Sequence, residues 1–177
     1  MATKKFNVLF LCTGNSARSI IAEALLNYLG EGKFVAYSAG SNPTGEVNPH
    51  ALDILRRMRV PINAPASKHW DTFADQQSPE LDFVITVCDR AAGEPCPVWP
   101  GQPMNAHWGI ADPATQQGDD RATLSAFRKA FLELENRLKI FVNLPIEKLD
   151  IISLQDRLNK IGDTTAIEIS MGVDAIR

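Results

Sequence analysis

Residues 6–19 read FNVLFLCTGNSARS, and the fold turns on how that stretch is parsed. Val8, Leu9, Phe10 and Leu11 form an unbroken apolar run, the pattern of a short strand buried on both faces. The run stops at Cys12 and passes through Thr13, Gly14, Asn15, Ser16 and Ala17 to Arg18 and Ser19. Helical spacing follows, with Ile21, Ala24, Leu25 and Tyr28 at i, i+3, i+4 and i+7 and Gly30 where a helix should stop. A strand feeding a helix through such a loop leaves the first-turn N–H groups unpaired, and the helix dipole adds partial positive charge there. The stretch is therefore expected to cradle an anion. Gly14 lets the backbone curl without a Cβ clash, and the planar fork of Arg18 suits two oxygens of a tetrahedral oxyanion. Cys12 lies in the same field, which favours the nucleophilic thiolate. Thr13, Gly14, Asn15, Ser16, Ala17, Arg18 and Ser19 are the expected binding residues. No Gly-Lys-Ser/Thr follows Gly14, so a Walker-type nucleotide loop is excluded; the bland alternative is a structural phosphate loop with an incidental cysteine.

Further along, strands and helices alternate. Residues 34–37 read as a second strand, and Asn48-Pro49 as the cap and first position of a helix striped by Ala51, Leu52, Leu55 and Met58. Residues 70–77 suggest a short helix, 83–87 a third buried strand ending at Cys88, and 105–109 a fourth. Residues 89–103, with four prolines and two glycines, are expected to be a long functional loop without regular structure. Asp119 or Asp120 should cap a long helix carrying Leu124, Phe127, Phe131, Leu134 and Leu138, which Leu144-Pro145 breaks. A last amphipathic helix carries Ile151, Leu154, Leu158 and Ile161, and residues 163–177 are expected to form a loosely attached tail. The pattern predicts an α/β fold, a parallel sheet between helical layers. Residues 1–143 are read as one domain, with 144–177 a helical extension and tail rather than an independent domain.

Composition narrows the classes. The 177 residues carry a net charge of −3 and 22% charged side chains, with no basic run to suggest a nucleic-acid face and no apolar segment of bilayer-spanning length. Lys4-Lys5 and the apolar run after them are too short for a signal peptide and lead into the glycine loop. Three cysteines argue against a secreted disulfide framework, so a cytoplasmic location is expected. His50, His69 and His107 show no metal-ligand spacing with cysteine, and no metal is expected.

In a parallel sheet ligands bind beyond the carboxyl ends of the strands, which places Cys12, Cys88 and Asp112 on one edge. Asp112, next to Pro113, is the candidate general acid, since an oxygen leaving a tetrahedral oxyanion needs a proton. The alternative is an Asp-Pro turn with a backbone role only. Cys88 and Cys96 are candidate redox partners of Cys12, the alternatives being an inert buried cysteine and an idle loop thiol; a Cys12–Cys88 or a Cys88–Cys96 disulfide requires Cα atoms within roughly 7 Å. Ser19 can donate to the Cys12 sulfur, Asn15 can hold a left-handed bend, and Ser38 and Glu23 can support the loop. His107 and Trp108 read as wall or core residues.

Taken together, CTGNSARS (12–19), SAG (38–40), TVC (86–88), Cys96-Pro97 and HWGIADPA (107–114) resemble the arsenate reductases built on the low-molecular-weight tyrosine phosphatase fold. The resemblance covers roughly residues 5–141. It implies a three-layer αβα fold with a four-stranded parallel sheet and a cytoplasmic enzyme of arsenic detoxification. It also implies that Cys12 attacks arsenate held by the loop and Arg18, and that Asp112 protonates the leaving oxygen. Cys88 would then form a disulfide with Cys12 and pass it to Cys96, with no tightly bound cofactor. The implied partners are arsenate and an external thiol reductant, thioredoxin or glutaredoxin with glutathione. Many relatives carry a further cysteine where this chain has Ala17. Thioredoxin-coupled members that bind potassium use residues matching Asn15, Glu23 and Ser38 plus an aspartate, and Lys68 stands in the aspartate's place. The competing reading is a phosphatase acting on phosphomonoesters through a Cys12 phosphocysteine. Such phosphatases usually follow the Asp-Pro with a tyrosine, where this chain has Ala114.

Overall fold

The computed structural model describes residues 3–95 and 97–164. Four strands, β1 (Phe6–Cys12), β2 (Phe34–Gly40), β3 (Phe83–Thr86) and β4 (Met104–His107), pair in parallel in the order β2-β1-β3-β4. The helices are α1 (Arg18–Leu29), α2 (Pro49–Arg57), α3 (Asp89–Gly93), α4 (Asp120–Val142) and α5 (Ile151–Asp163). None of them, among the described residues, is long and apolar enough to cross a membrane.

The central strand explains the layers. Val8, Phe10 and Cys12 of β1 point into one apolar cluster, and Leu9 and Leu11 point into another. Successive strand residues face opposite sides, so an unbroken apolar run needs cover on both. On the first side α1, α2, α4 and α5 supply Ile21, Leu25, Leu55, Phe127, Leu134, Phe141 and Leu158. The second side is covered more thinly. Trp70 and Phe73 from a 3-10 turn (Trp70–Phe73) and Trp99 from the loop after α3 close over Leu9, Leu11 and Val84. Trp70 and Trp99 meet edge-on with ring centroids 6.4 Å apart.

Local chemistry sets the helix ends. Asn48 Oδ1 accepts the His50 N–H and Pro49 opens α2, while Asp119 Oδ1 accepts the Ala122 N–H at the head of α4. Asp150 caps α5 in the same way through Ser153.

Several expectations are corrected in detail. Of the residues whose spacing marks α1 as helical, Ile21 and Leu25 are buried while Tyr28 is 51% exposed. The expected loop 89–103 begins with helix α3, for which the Cys88 side chain is the cap. The helix expected over 70–77 is a single 3-10 turn. Residues 165–177 of the expected tail, and Cys96, lie outside the described residues.

Phe141 is the keystone of the first layer. It is fully buried and meets Phe34, Phe83 and Trp108 at 4.9, 5.4 and 5.6 Å between ring centroids. Phe141→Ala should lower the unfolding free energy by about 3–5 kcal/mol, measured by equilibrium urea denaturation. A loss below about 1 kcal/mol would show that the neighbouring rings collapse into the space.

Candidate active site

Parallel pairing carries three sequence-singled residues to the same sheet edge. Cys12 ends β1 in register with Gly40, and Leu11 is in register with Thr86, which puts Cys88 beside the loop that follows Cys12. The Val87 N–H donates to Leu11 O at 2.8 Å, fixing that approach. Both thiols are free and buried.

The loop is held from behind by a chain of polar contacts. Lys68 N–H donates to Asn15 Oδ1 at 2.8 Å, and Asn15 Nδ2 donates to Ser19 Oγ at 2.8 Å. Ser19 Oγ lies 2.9 Å from Cys12 Sγ. Ser19 Oγ, which accepts from Asn15, keeps its own proton and can donate it to the sulfur. Asn15 is fully buried with φ 43°, the left-handed conformation that asparagine tolerates better than most residues. Ser16 O accepts from Asn48 N–H, and the carbonyls of Thr13 and Gly14 accept from Asn42 and Thr44. With the carbonyls of Gly14 and Ser16 taken by Thr44 and Asn48, their amides remain for an anion, whereas the Thr13 amide is taken by Cys88. Ala17, at the head of α1, provides no side-chain cap, so the first-turn amides of α1 have no side-chain competitor there.

In the sequence Gly40 enters as the last residue of the SAG stretch after the second strand, with no role of its own. In the structure a Cβ there would collide with the Thr13 carbonyl and come within 2.9 Å of Cys12 O and 3.0 Å of Asn15 N. The absence of a side chain is what lets the loop seat against β2. A glycine in strand register with a loop cysteine is the signal that could have found it.

Cys88 sits in a pocket of donors. Its Sγ accepts the Thr13 N–H at 3.3 Å and the Ala91 N–H at 3.4 Å, and lies 3.5 Å from Thr13 Oγ1. Thr13 thus belongs to both thiols, being the neighbour of one and a donor to the other. Next to Cys88, Asp89 Oδ1 lies 2.8 Å from His107 Nε2, and His107 Nδ1 lies 2.8 Å from Thr86 Oγ1. His107, expected to be wall, therefore ties the tip of β4 to the first residue of α3. Trp108 is fully buried, as expected of a core residue.

Arg18 faces Asp112 across the mouth. Its Nη1 donates to Ile110 O at 2.9 Å and its Nη2 lies 3.2 Å from Asp112 Oδ2, while Asp112 Oδ1 accepts the Ala114 N–H at 2.9 Å. The turn expected of Asp-Pro is present, and the carboxylate also reaches the loop arginine. A cavity of about 340 Å³ opens beside Asp112 and Pro113, against Ala122, Ala126 and Ala130 of α4.

Below the loop Ser38 Oγ donates to Glu23 Oε2 at 2.5 Å. Burial pushes the Glu23 carboxyl above its ordinary range, and the Ser38 hydrogen bond and the Lys68 charge pull it back in part. Since the folded chain holds this proton more tightly than the unfolded one, Glu23 makes stability fall as pH rises through and above the ordinary carboxylate range. Thermal melts across pH 4–8 should therefore show Glu23→Gln gaining on the parent chain as pH rises. Parallel profiles would mean that the burial is not felt.

Residues 7–151 match the family described as low molecular weight phosphotyrosine protein phosphatase. An arsenate reductase of Halalkalibacterium halodurans is 37% identical over 135 residues, covering 76% of this chain and 93% of that one. Among solved structures, an arsenate reductase from Archaeoglobus fulgidus superposes with a TM-score of 0.61 at 27% identity, over 77% of this chain and 99% of the other. A thioredoxin-dependent arsenate reductase of Corynebacterium glutamicum superposes with a TM-score of 0.56 at 28% identity, over 78% and 61%.

Proposed function

The chain belongs to the low molecular weight phosphotyrosine protein phosphatase family, and from that membership we propose that it reduces arsenate to arsenite through a relay of thiols. The observation that carries the reading is the seat of Cys88, whose sulfur takes the Thr13 N–H at 3.3 Å on the rim of the oxyanion loop. Hydrolysis of a phosphomonoester needs one nucleophilic thiol, an arginine and an acid; it has no use for a second thiol there. Ala114 after Asp112-Pro113, where a stacking tyrosine would serve an aromatic ester, points the same way.

Arsenate enters the loop formed by Thr13, Gly14, Asn15, Ser16, Ala17, Arg18 and Ser19. Arg18 turns from Asp112 to two of its oxygens, and the Asp112 carboxylate, freed from the guanidinium, takes up a proton from solvent and passes it to the departing oxygen. The Cys12 thiolate, supported by Ser19, forms a sulfur–arsenic(V) bond as water leaves. The Cys88 thiolate then attacks Cys12 Sγ. A Cys12–Cys88 disulfide forms, the sulfur–arsenic bond breaks, and its electron pair stays on arsenic, which departs as arsenite. Two thiols have been oxidised and arsenic(V) has become arsenic(III), so the electrons balance. Phosphate in the same cradle offers no such reduction.

Cys96 is assigned the next step: its thiolate attacks Cys88, a Cys88–Cys96 disulfide forms, and Cys12 is released. An external dithiol returns the two electrons. The Corynebacterium glutamicum neighbour, named as thioredoxin-dependent, supports a thioredoxin-type donor over glutaredoxin with glutathione. No tightly bound cofactor enters the scheme, and it suits a reducing, cytoplasmic setting.

Cys88→Ser should abolish multiple-turnover arsenate reduction, followed as arsenate-dependent NADPH oxidation with a thioredoxin system, while leaving any hydrolysis of aryl phosphates intact. Sustained turnover by that variant would refute the relay. Cys12→Ser should lose both activities, and a residual rate would place the nucleophile elsewhere. Mass spectrometry of the chain oxidised by arsenate should find Cys88 linked to Cys96. A link from Cys88 to Cys12 alone, or a glutathione adduct, would remove Cys96 from the scheme.

A further inference from the structure

The loop that carries Asp112 is gripped at its root. Arg137 of α4 donates from Nη1 to Gly109 O at 3.1 Å and from Nη2 to Thr164 O, just beyond α5, at 3.3 Å. The next carbonyl, Ile110 O, is taken by Arg18, so two consecutive carbonyls are each held by a guanidinium. α5 closes on the same segment from the side. Trp108 Nε1 donates to Leu158 O at 3.0 Å, and a Cβ on Gly162 would collide with the His107 carbonyl.

Arg137 is only 6% exposed, and its Nε has no partner among the described residues. Burying a guanidinium is costly, and an apolar side chain of similar size would fill the space at less cost. The charges of Glu133 and Asp163 oppose the desolvation only in part. What the guanidinium does that an apolar chain cannot is join Gly109, three residues before Asp112, to the end of α5. General-acid transfer depends on sub-ångström placement of the proton donor.

We propose that Arg137 is a positioning residue for the arsenate-reducing step, fixing the Asp112 carboxyl by bridging the Gly109 carbonyl to the C-terminal end of α5. The inference rests on Asp112 being the general acid. It gives α5, most of which lies beyond the residues matched by the family, a place in the chemistry.

A double-mutant cycle on the full chain tests it, reading single-turnover loss of free thiol after mixing with arsenate. Asp112→Asn should slow the reaction roughly a hundredfold. Arg137→Met should slow it about tenfold in the parent chain and no more than about twofold in the Asp112→Asn background, because it acts through the same group. Arg137→Lys, which keeps the charge but reaches one carbonyl, should fall between parent and Met, and it carries the same cycle if Arg137→Met does not fold. With aryl phosphates, the Arg137 penalty should be larger for phenyl than for 4-nitrophenyl phosphate, whose leaving group needs less protonation. Equal losses in both backgrounds, or a lowered Tm with an unchanged rate, would overturn the proposal and leave Arg137 a structural residue. An Asp112→Asn chain as fast as the parent would instead remove the acid assignment, and this inference with it.

Discussion

Everything on the sheet edge depends on one constraint: five residues, 13–17, must carry the chain from β1 into α1 around a common centre. A loop that points its N–H groups at a common centre cannot satisfy them with its own carbonyls. The structure meets this by tying the carbonyls outward, to Asn42, Thr44 and Asn48, and by fixing the one left-handed residue, Asn15, from both ends of its amide. The price is sequence restriction at remote positions. Gly40 is confined to glycine by Thr13, and residue 15 to a side chain that accepts from Lys68 N–H while donating to Ser19. The cradle is thus a property of β1, β2 and the segment around Lys68 together.

The second thiol is placed by the same topology. Because β3 lies beside β1 and runs parallel to it, the residue after β3 must emerge beside the residue after β1. Cys88 meets the loop there, and two backbone amides and a hydroxyl surround its sulfur. The two sulfurs are thus held differently, Cys12 against the Ser19 hydroxyl and Cys88 by amides of the neighbouring loop and of the first turn of α3.

Much of this could be read from the sequence because it is local. The apolar run 8–11, the small residues after it and the helical period from Ile21 are contiguous, and together they define strand, loop and helix. Asp112 and Cys88 were placed on the edge by the rule that ligands sit at strand carboxyl ends. What escaped is what depends on distant packing. Helix α3 has only five residues and no apolar period, and it is recognisable only once Cys88 is seen to cap it. Tyr28 kept the helical spacing but fell outside the arc that α1 presents to the sheet. Arg137 lies on α4 among ordinary helix formers, and only the folded chain brings it to Gly109.

The contact between Arg18 and Asp112 has a consequence for selectivity. At rest the arginine is already engaged by an anion of the protein's own making, with the Ile110 carbonyl as a second partner. Arrival of an oxyanion is then an exchange of one anion for another, and its free energy is a difference between two ion pairs rather than the full strength of one. Weakly held or singly charged anions gain little from such an exchange, whereas a compact dianion that spans both guanidinium nitrogens and the inward amides gains most. The resting ion pair acts as a threshold, and the displacement that admits an oxyanion also frees the Asp112 carboxylate.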